Sequence, residues 1–213
     1  MHFIELKNPR VLDILERFRY LYRDKYDITE TNLPLSDLLG QGEEYVSEEY
    51  LRDVLERGEN HDGSPRAAFS YPIKPDHYRG TDTQYKTDYQ EVDHDMRLEV
   101  GFKESALTQL YPPQGFIDWH NNANSTSYNI LFTWSETGDG WFKWYDKEND
   151  KIVTMPDKKG WSAKAGYFGH YGDGDLCYHS AYTNCWRMTM AYVVPNDAKE
   201  YWELMCDYIE SED

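Results

Sequence analysis

Cysteine is scarce in this chain. There are three, Cys177, Cys185 and Cys206, an odd number without a CxxC pair. That argues against a disulfide framework or a thiolate metal knuckle and favours reduced thiols in a cytoplasmic compartment, with small buried hydrophobes as their ordinary role. Long apolar runs are also missing, so neither a signal peptide nor a membrane span is expected. Positive charge is in short supply: 22 Lys and Arg face 39 Asp and Glu, leaving a net charge of −17. Such a chain repels phosphate, which disfavours duplex nucleic acid and anionic membrane as partners. No internal repeat or low-complexity tract is present. What is abundant is aromatic: 19 Tyr, 7 Trp and 8 Phe among 213 residues, enough chain for one well-filled domain with a core of large rings.

The first part reads as helical. Asn8 is a suitable N-cap with Pro9 in the first turn, and Val11, Leu12, Leu15, Phe18 and Leu21 fall on one stripe. Ser47 followed by Glu48 and Glu49 opens a second helix, which Gly58 ends. From 59 to 93 the chain is polar and rich in Asp, Tyr and Pro, and reads as a long irregular connection of the kind that forms lids.

From about residue 104 the period changes to that of strands. Ala106–Tyr111, Phe116–His120, Ser127–Trp134, Trp141–Tyr145, Lys151–Met155, Trp161–Phe168, Leu176–Ala181 and Trp186–Val194 are the expected strands, punctuated by Pro/Gly and Asp-rich turns. Asn196 or Asp197 should cap a last helix. The expectation is one α+β domain: a helical layer and irregular segment over 1–103, a jelly-roll core over 104–194, and a terminal helix over 195–213.

The residues able to carry chemistry lie in the core. His120 ends a strand just after the turn Pro112-Pro113-Gln114-Gly115, and Asn122, two residues on, shares its face if the strand continues. His179 sits on a late strand about sixty residues further, where a rolled sheet can bring it back to His120. Arg187 and Thr189 share one face of the last strand, and a guanidinium fork beside a hydroxyl suits a carboxylate.

These residues, in this order, resemble the iron(II)/2-oxoglutarate-dependent oxygenases. That family carries a HxD/E…H metal triad on a double-stranded β-helix and an RxS or RxT pair on a late strand. The resemblance covers residues 104–194 and implies that His120 and His179 bind iron, that Arg187 and Thr189 hold the distal carboxylate of 2-oxoglutarate, and that Tyr128 joins the cosubstrate site. The substrate would be a small molecule or a protein side chain, with 59–93 as its lid. One departure is plain: Asn122 stands where the family has a carboxylate. Three readings stay open: Asn122 itself ligates, water or halide fills the place as in the related halogenases, or Asp118 or Asp175 supplies the acid; a degenerate, non-catalytic interaction protein on the same fold is the alternative from another class. Other features are weaker. His170–Asp175 and Gly138-Asp139-Gly140 read as turns, and Trp141, Trp144 and Trp161 as core.

Overall fold

The computed structural model describes residues 1–28, 36–57, 63–75, 83–123, 128–169, 176–195 and 197–212. Helix α1 spans Pro9–Tyr20 and continues into a π-helical turn, Leu21–Lys25. As its sequence foretold, the Asn8 side chain accepts from the amides of Arg10 and Val11 at 3.0 and 3.2 Å. The buried stripe is Val11, Ile14, Leu15, Phe18 and Leu21; Ile14 takes the inward place expected of Leu12. A short helix α2 (Gly42–Tyr45) leads into α3 (Glu48–Arg57), which Ser47 opens by accepting from the Tyr50 amide.

The expectation of an irregular lid over 59–93 is corrected. Residues 59–62 and 76–82 lie outside the described residues, but β2 (Ala68–Phe69) and β3 (Tyr71–Pro72) pair with the core strands and α4 occupies Thr83–Val100. The buried stripe of α4 is Tyr85, Tyr89, Val92, Met96 and Val100, a helical spacing built partly from tyrosines. Those rings enter the core because their hydroxyls have partners: Tyr89 bonds Thr108 at 2.9 Å and Tyr85 donates to the Ile73 carbonyl. Tyr89 also meets Phe18 of α1 edge-on at 5.7 Å.

Strands β4 (Glu104–Tyr111), β5 (Phe116–His120), β6 (Tyr128–Ser135), β7 (Gly140–Asp146), β8 (Lys151–Pro156), β9 (Gly160–Tyr167), β10 (His179–Thr183) and β11 (Arg187–Val194) follow, and α5 spans Lys199–Glu210. With β1 (His2–Ile4) they form two antiparallel sheets, ordered β1-β9-β6-β11-β4-β3 and β2-β5-β10-β7-β8. From β4 onward the chain crosses between the sheets, except for the β7–β8 hairpin, and this order is a double-stranded β-helix. Helix α5 begins after Ala198, which makes no side-chain cap, so Asp197 does not serve; Asn196 is outside the described residues.

Both faces of the six-stranded sheet are covered. On β11, Met188, Met190, Tyr192 and Val194 face the helices, while Arg187, Thr189, Ala191 and Val193 line the interior of the roll. Helices α1, α4 and α5 form the outer layer over this sheet, with Trp202 donating to the Asn129 carbonyl at 3.2 Å. Among the described residues no helix is long and apolar enough to cross a membrane.

Asn8 ties the two ends of this layer together, since its Nδ2 donates to the Tyr208 carbonyl at 3.2 Å and to Ser211 Oγ at 3.1 Å. Replacing Asn8 with Ala should cost about 2 kcal/mol, the upper range for a lost cap, because its part-buried partners Tyr208 and Ser211 lose their hydrogen bonds as well. Asn8→Asp, which keeps the cap alone, should fall between the two in urea denaturation.

Candidate metal and anion site

The pairing of β5 with β10 brings the two histidines together. His120 and His179 are register partners, and their ring centroids lie 4.2 Å apart. Each ring is oriented by main chain: His120 Nδ1 meets the Asp118 carbonyl at 2.8 Å and His179 Nδ1 the Cys177 carbonyl at 2.9 Å. A carbonyl only accepts, so each Nδ1 carries the proton and each Nε2 keeps its lone pair, the tautomer of a metal ligand. Burial, and then the neighbouring His120, hold His179 well below the ordinary histidine range. Both rings line a cavity of about 170 Å³ inside the roll, together with Asn122, Arg187 and Thr189.

A β-bulge decides what the rest of β5 does. The register shifts between Ile117 and His120, so these two, three residues apart, both face the cavity. Trp119 packs instead against Leu51 and Val54 of α3. Asp118 is turned the same way, and its Oδ2 accepts from the Tyr50 hydroxyl at 3.0 Å and from the amides of Arg66 and Ala67 at 3.1 and 3.0 Å. Asp118 is therefore not a partner of the histidines: the bulge breaks the period of two that would have aligned it with His120. Burial pushes its carboxyl up to about 6, against the opposing pull of the Tyr50 bond and the two amides. Asp175, the other candidate acid, and the rest of the His170–Asp175 segment lie outside the described residues. Among the described residues no group of three or more His, Cys, Asp or Glu is placed to hold a metal, so Asn122 is the remaining described candidate beside the pair.

The other end of the cavity is lined by a buried cation and a hydroxyl, Arg187 and Thr189. Arg187 is fully buried; its Nε donates to Asp157 Oδ2 at 2.7 Å and its Nη1 to Thr189 Oγ1 at 2.6 Å. Its guanidinium lies over the Tyr111 ring, 5.1 Å from the centroid. Asp157 and Lys164 belong to this cluster, and sequence reasoning missed both. The available signal was Lys164 itself, set among the small residues Ser162, Ala163, Ala165 and Gly166 in a strand. In register it opposes Leu131, so it faces the interior.

Tyr128 is not at the site. It packs against Trp202 of α5 at 5.1 Å and Tyr167 at 4.9 Å, because alternation along β6 sends Asn129 and Leu131 to the cavity and their neighbours to the helices. The three tryptophans read as core lie in different places: Trp141 stacks on Tyr182, Trp144 joins the cavity-side core, and Trp161 packs on the helix side. No disulfide joins the three cysteines, all of which are buried.

No protein-family model and no curated protein matches this chain. Solved structures do, at low identity. A Pseudomonas putida prolyl-4-hydroxylase is 14% identical, with 90% of this chain and 89% of that chain covered, at a TM-score of 0.37. A Drosophila melanogaster CENP-C cupin domain is 13% identical over 42% of this chain, at a TM-score of 0.30. A predicted oxalate decarboxylase from Thermotoga maritima is 18% identical over 42% of this chain, at 0.27. The chain spans 61% and 64% of the lengths of these last two. At such scores the roles of residues rest on the geometry above.

Asp118 should leave a signature in stability. Its folded value of about 6 lies above the ~3.9 of an unfolded aspartate, so between those values the folded state binds more protons. Its contribution is fully present below ~4 and is lost as pH rises through about 6. Denaturation midpoints of wild type and Asp118→Asn, measured from pH 4 to pH 7, should diverge across that window, the wild type losing stability relative to the variant. Parallel curves would show that the carboxyl is not held protonated by burial.

Proposed function

We propose that the protein is an iron(II)/2-oxoglutarate-dependent oxygenase that oxidises, by hydroxylation, a small molecule or a protein side chain. The observation that carries the reading is one cavity with two Nε2 lone pairs and a fork-and-hydroxyl anion receptor on its wall. The donor set fits the group: two neutral imidazoles and an amide oxygen suit a borderline divalent ion and leave positions open for a chelating cosubstrate. His120 and His179 would hold the metal, with Asn122 as the third protein ligand. Arg187 and Thr189 would bind the distal carboxylate of 2-oxoglutarate.

When bound, iron and 2-oxoglutarate supply oxygen activation and oxidation of a substrate C–H bond. The chain's own part is to bind, orient and exclude water. The two backbone carbonyls keep both imidazoles in the ligating tautomer. Leu131, Phe168 and Ala191 line the cavity with apolar surface, which lowers the local dielectric and strengthens the interactions of the charged groups. Asp157 fixes the Nε edge of Arg187 and Thr189 takes one Nη1 hydrogen, leaving the remaining N–H groups for a ligand.

A second reading, a binding protein without catalysis, draws support from the lack of a histidine-associated acid among the described residues. Anaerobic titration with iron(II), with and without 2-oxoglutarate, separates the two. The visible charge-transfer band of the chelate is expected only when both are present, and its absence would leave the binding reading. Asn122→Asp should tighten metal binding by on the order of tenfold, ~1.4 kcal/mol, well within the ~4 kcal/mol of Coulomb attraction at ~4 Å in partly screened protein. Titration calorimetry with manganese(II) checks it; unchanged affinity would take Asn122 off the metal.

A further inference from the structure

Three charged side chains are closed off behind the cavity, and their sum is not zero. Asp157 shares its carboxylate between two cations: Oδ1 takes Lys164 Nζ at 3.2 Å and Oδ2 takes Arg187 Nε at 2.7 Å. The side chains of Asp157 and Lys164 are wholly buried and that of Arg187 is 2% exposed. The backbone is shaped to admit them, since a Cβ on Gly140 would lie 2.8 Å from Asp157 Oδ2. With all three ionised the cluster carries one positive charge, and burial pulls the Lys164 ammonium down to about 8 against the support of Asp157.

Stability does not account for Lys164. Buried ion pairs return little beyond their desolvation cost, and well-packed apolar replacements are often neutral or stabilising. Its effect on Arg187 does account for it. An Arg187–Asp157 pair alone is neutral: the carboxylate that orients the guanidinium also cancels its attraction for a ligand. With Lys164 on the second oxygen, Asp157 orients Arg187 while the cluster keeps a full charge beside the cavity that Arg187 and Thr189 line. The Thr189 hydroxyl, whose oxygen already accepts from Nη1, has its own hydrogen left to donate.

We propose that Lys164 is a positioning residue for anion binding: by offsetting Asp157 it lets Arg187 be held in place without being neutralised, so that this end of the cavity takes one carboxylate of a ligand. The inference rests on reading the cavity as the site of a 2-oxo dicarboxylate. It is tested by calorimetric affinity for 2-oxoglutarate in the presence of manganese(II), with thermal denaturation confirming that each protein is folded. Lys164→Met should bind on the order of tenfold more weakly, because the cluster becomes neutral. The double variant Lys164→Met/Asp157→Asn restores a net charge of one while the amide still accepts from Nε, and its affinity should return to within about threefold of wild type. A role in packing would not be rescued in this way. Unchanged affinity in Lys164→Met, or weak binding in both variants, overturns the role of Lys164 while the cavity's ligand stands. If wild type itself binds no 2-oxoglutarate, the reading of the cavity falls first and this inference with it.

Discussion

The pairing of β5 with β10, with its bulge, is the contact on which the site depends. One extra residue in β5 puts His120 opposite His179 and keeps Ile117 on the same wall of the cavity. The residues between them are rotated outward, where Trp119 anchors α3 and the Asp118 carboxylate gathers Tyr50 and the amides of Arg66 and Ala67. A regular strand could not do both. This bulge couples the inner wall of the roll to the packing of its outer helices, and the main-chain carbonyls that steer the two imidazoles are those of Asp118 in β5 and of Cys177, two residues before β10 begins.

Burial on both faces shapes the other sheet. The strands of the six-stranded sheet face the helical layer with large apolar side chains such as Phe132, Met190 and Tyr192. Their interior face is mixed, with Ala191 and Leu131 between polar groups at either end. The charged cluster survives inside because its members answer one another: Thr189 is met by Arg187, and Arg187 and Lys164 by Asp157. The small residues flanking Lys164 leave room for a long side chain to cross the interior.

The fold was legible where period and punctuation agree. The strands from 104 onward, the Asn8 cap and the helix after Ser47 all follow from local residues, while the coming together of His120, His179, Arg187 and Thr189 around one cavity was expected from their order and strand context and from the resemblance. What escaped has physical reasons. A bulge without a glycine or proline inside it leaves no mark, so Asp118 read as a neighbour of His120. Tyr128 was one residue out of phase with the inward row. Helix α4 hid its stripe in tyrosines, which count as buried only once their hydroxyl partners are known. Asp157 meets Lys164 across seven residues and Arg187 across thirty, separations that only the closed roll brings to hydrogen-bonding distance.

The buried positive cluster also has a kinetic side. It sits inside a chain whose net charge is −17, so the anionic ligand proposed for it would be attracted where it comes to rest and repelled by the molecule as a whole while it approaches. The exterior field reaches only about 8 Å at physiological ionic strength, whereas the enclosed charges are little screened. Added salt would then speed the arrival of an anionic ligand while barely loosening its hold, the reverse of the usual pattern for oppositely charged partners. Entry and retention of the proposed ligand would thereby be set by different parts of the molecule, its acidic surface and its enclosed Arg187–Asp157–Lys164 cluster.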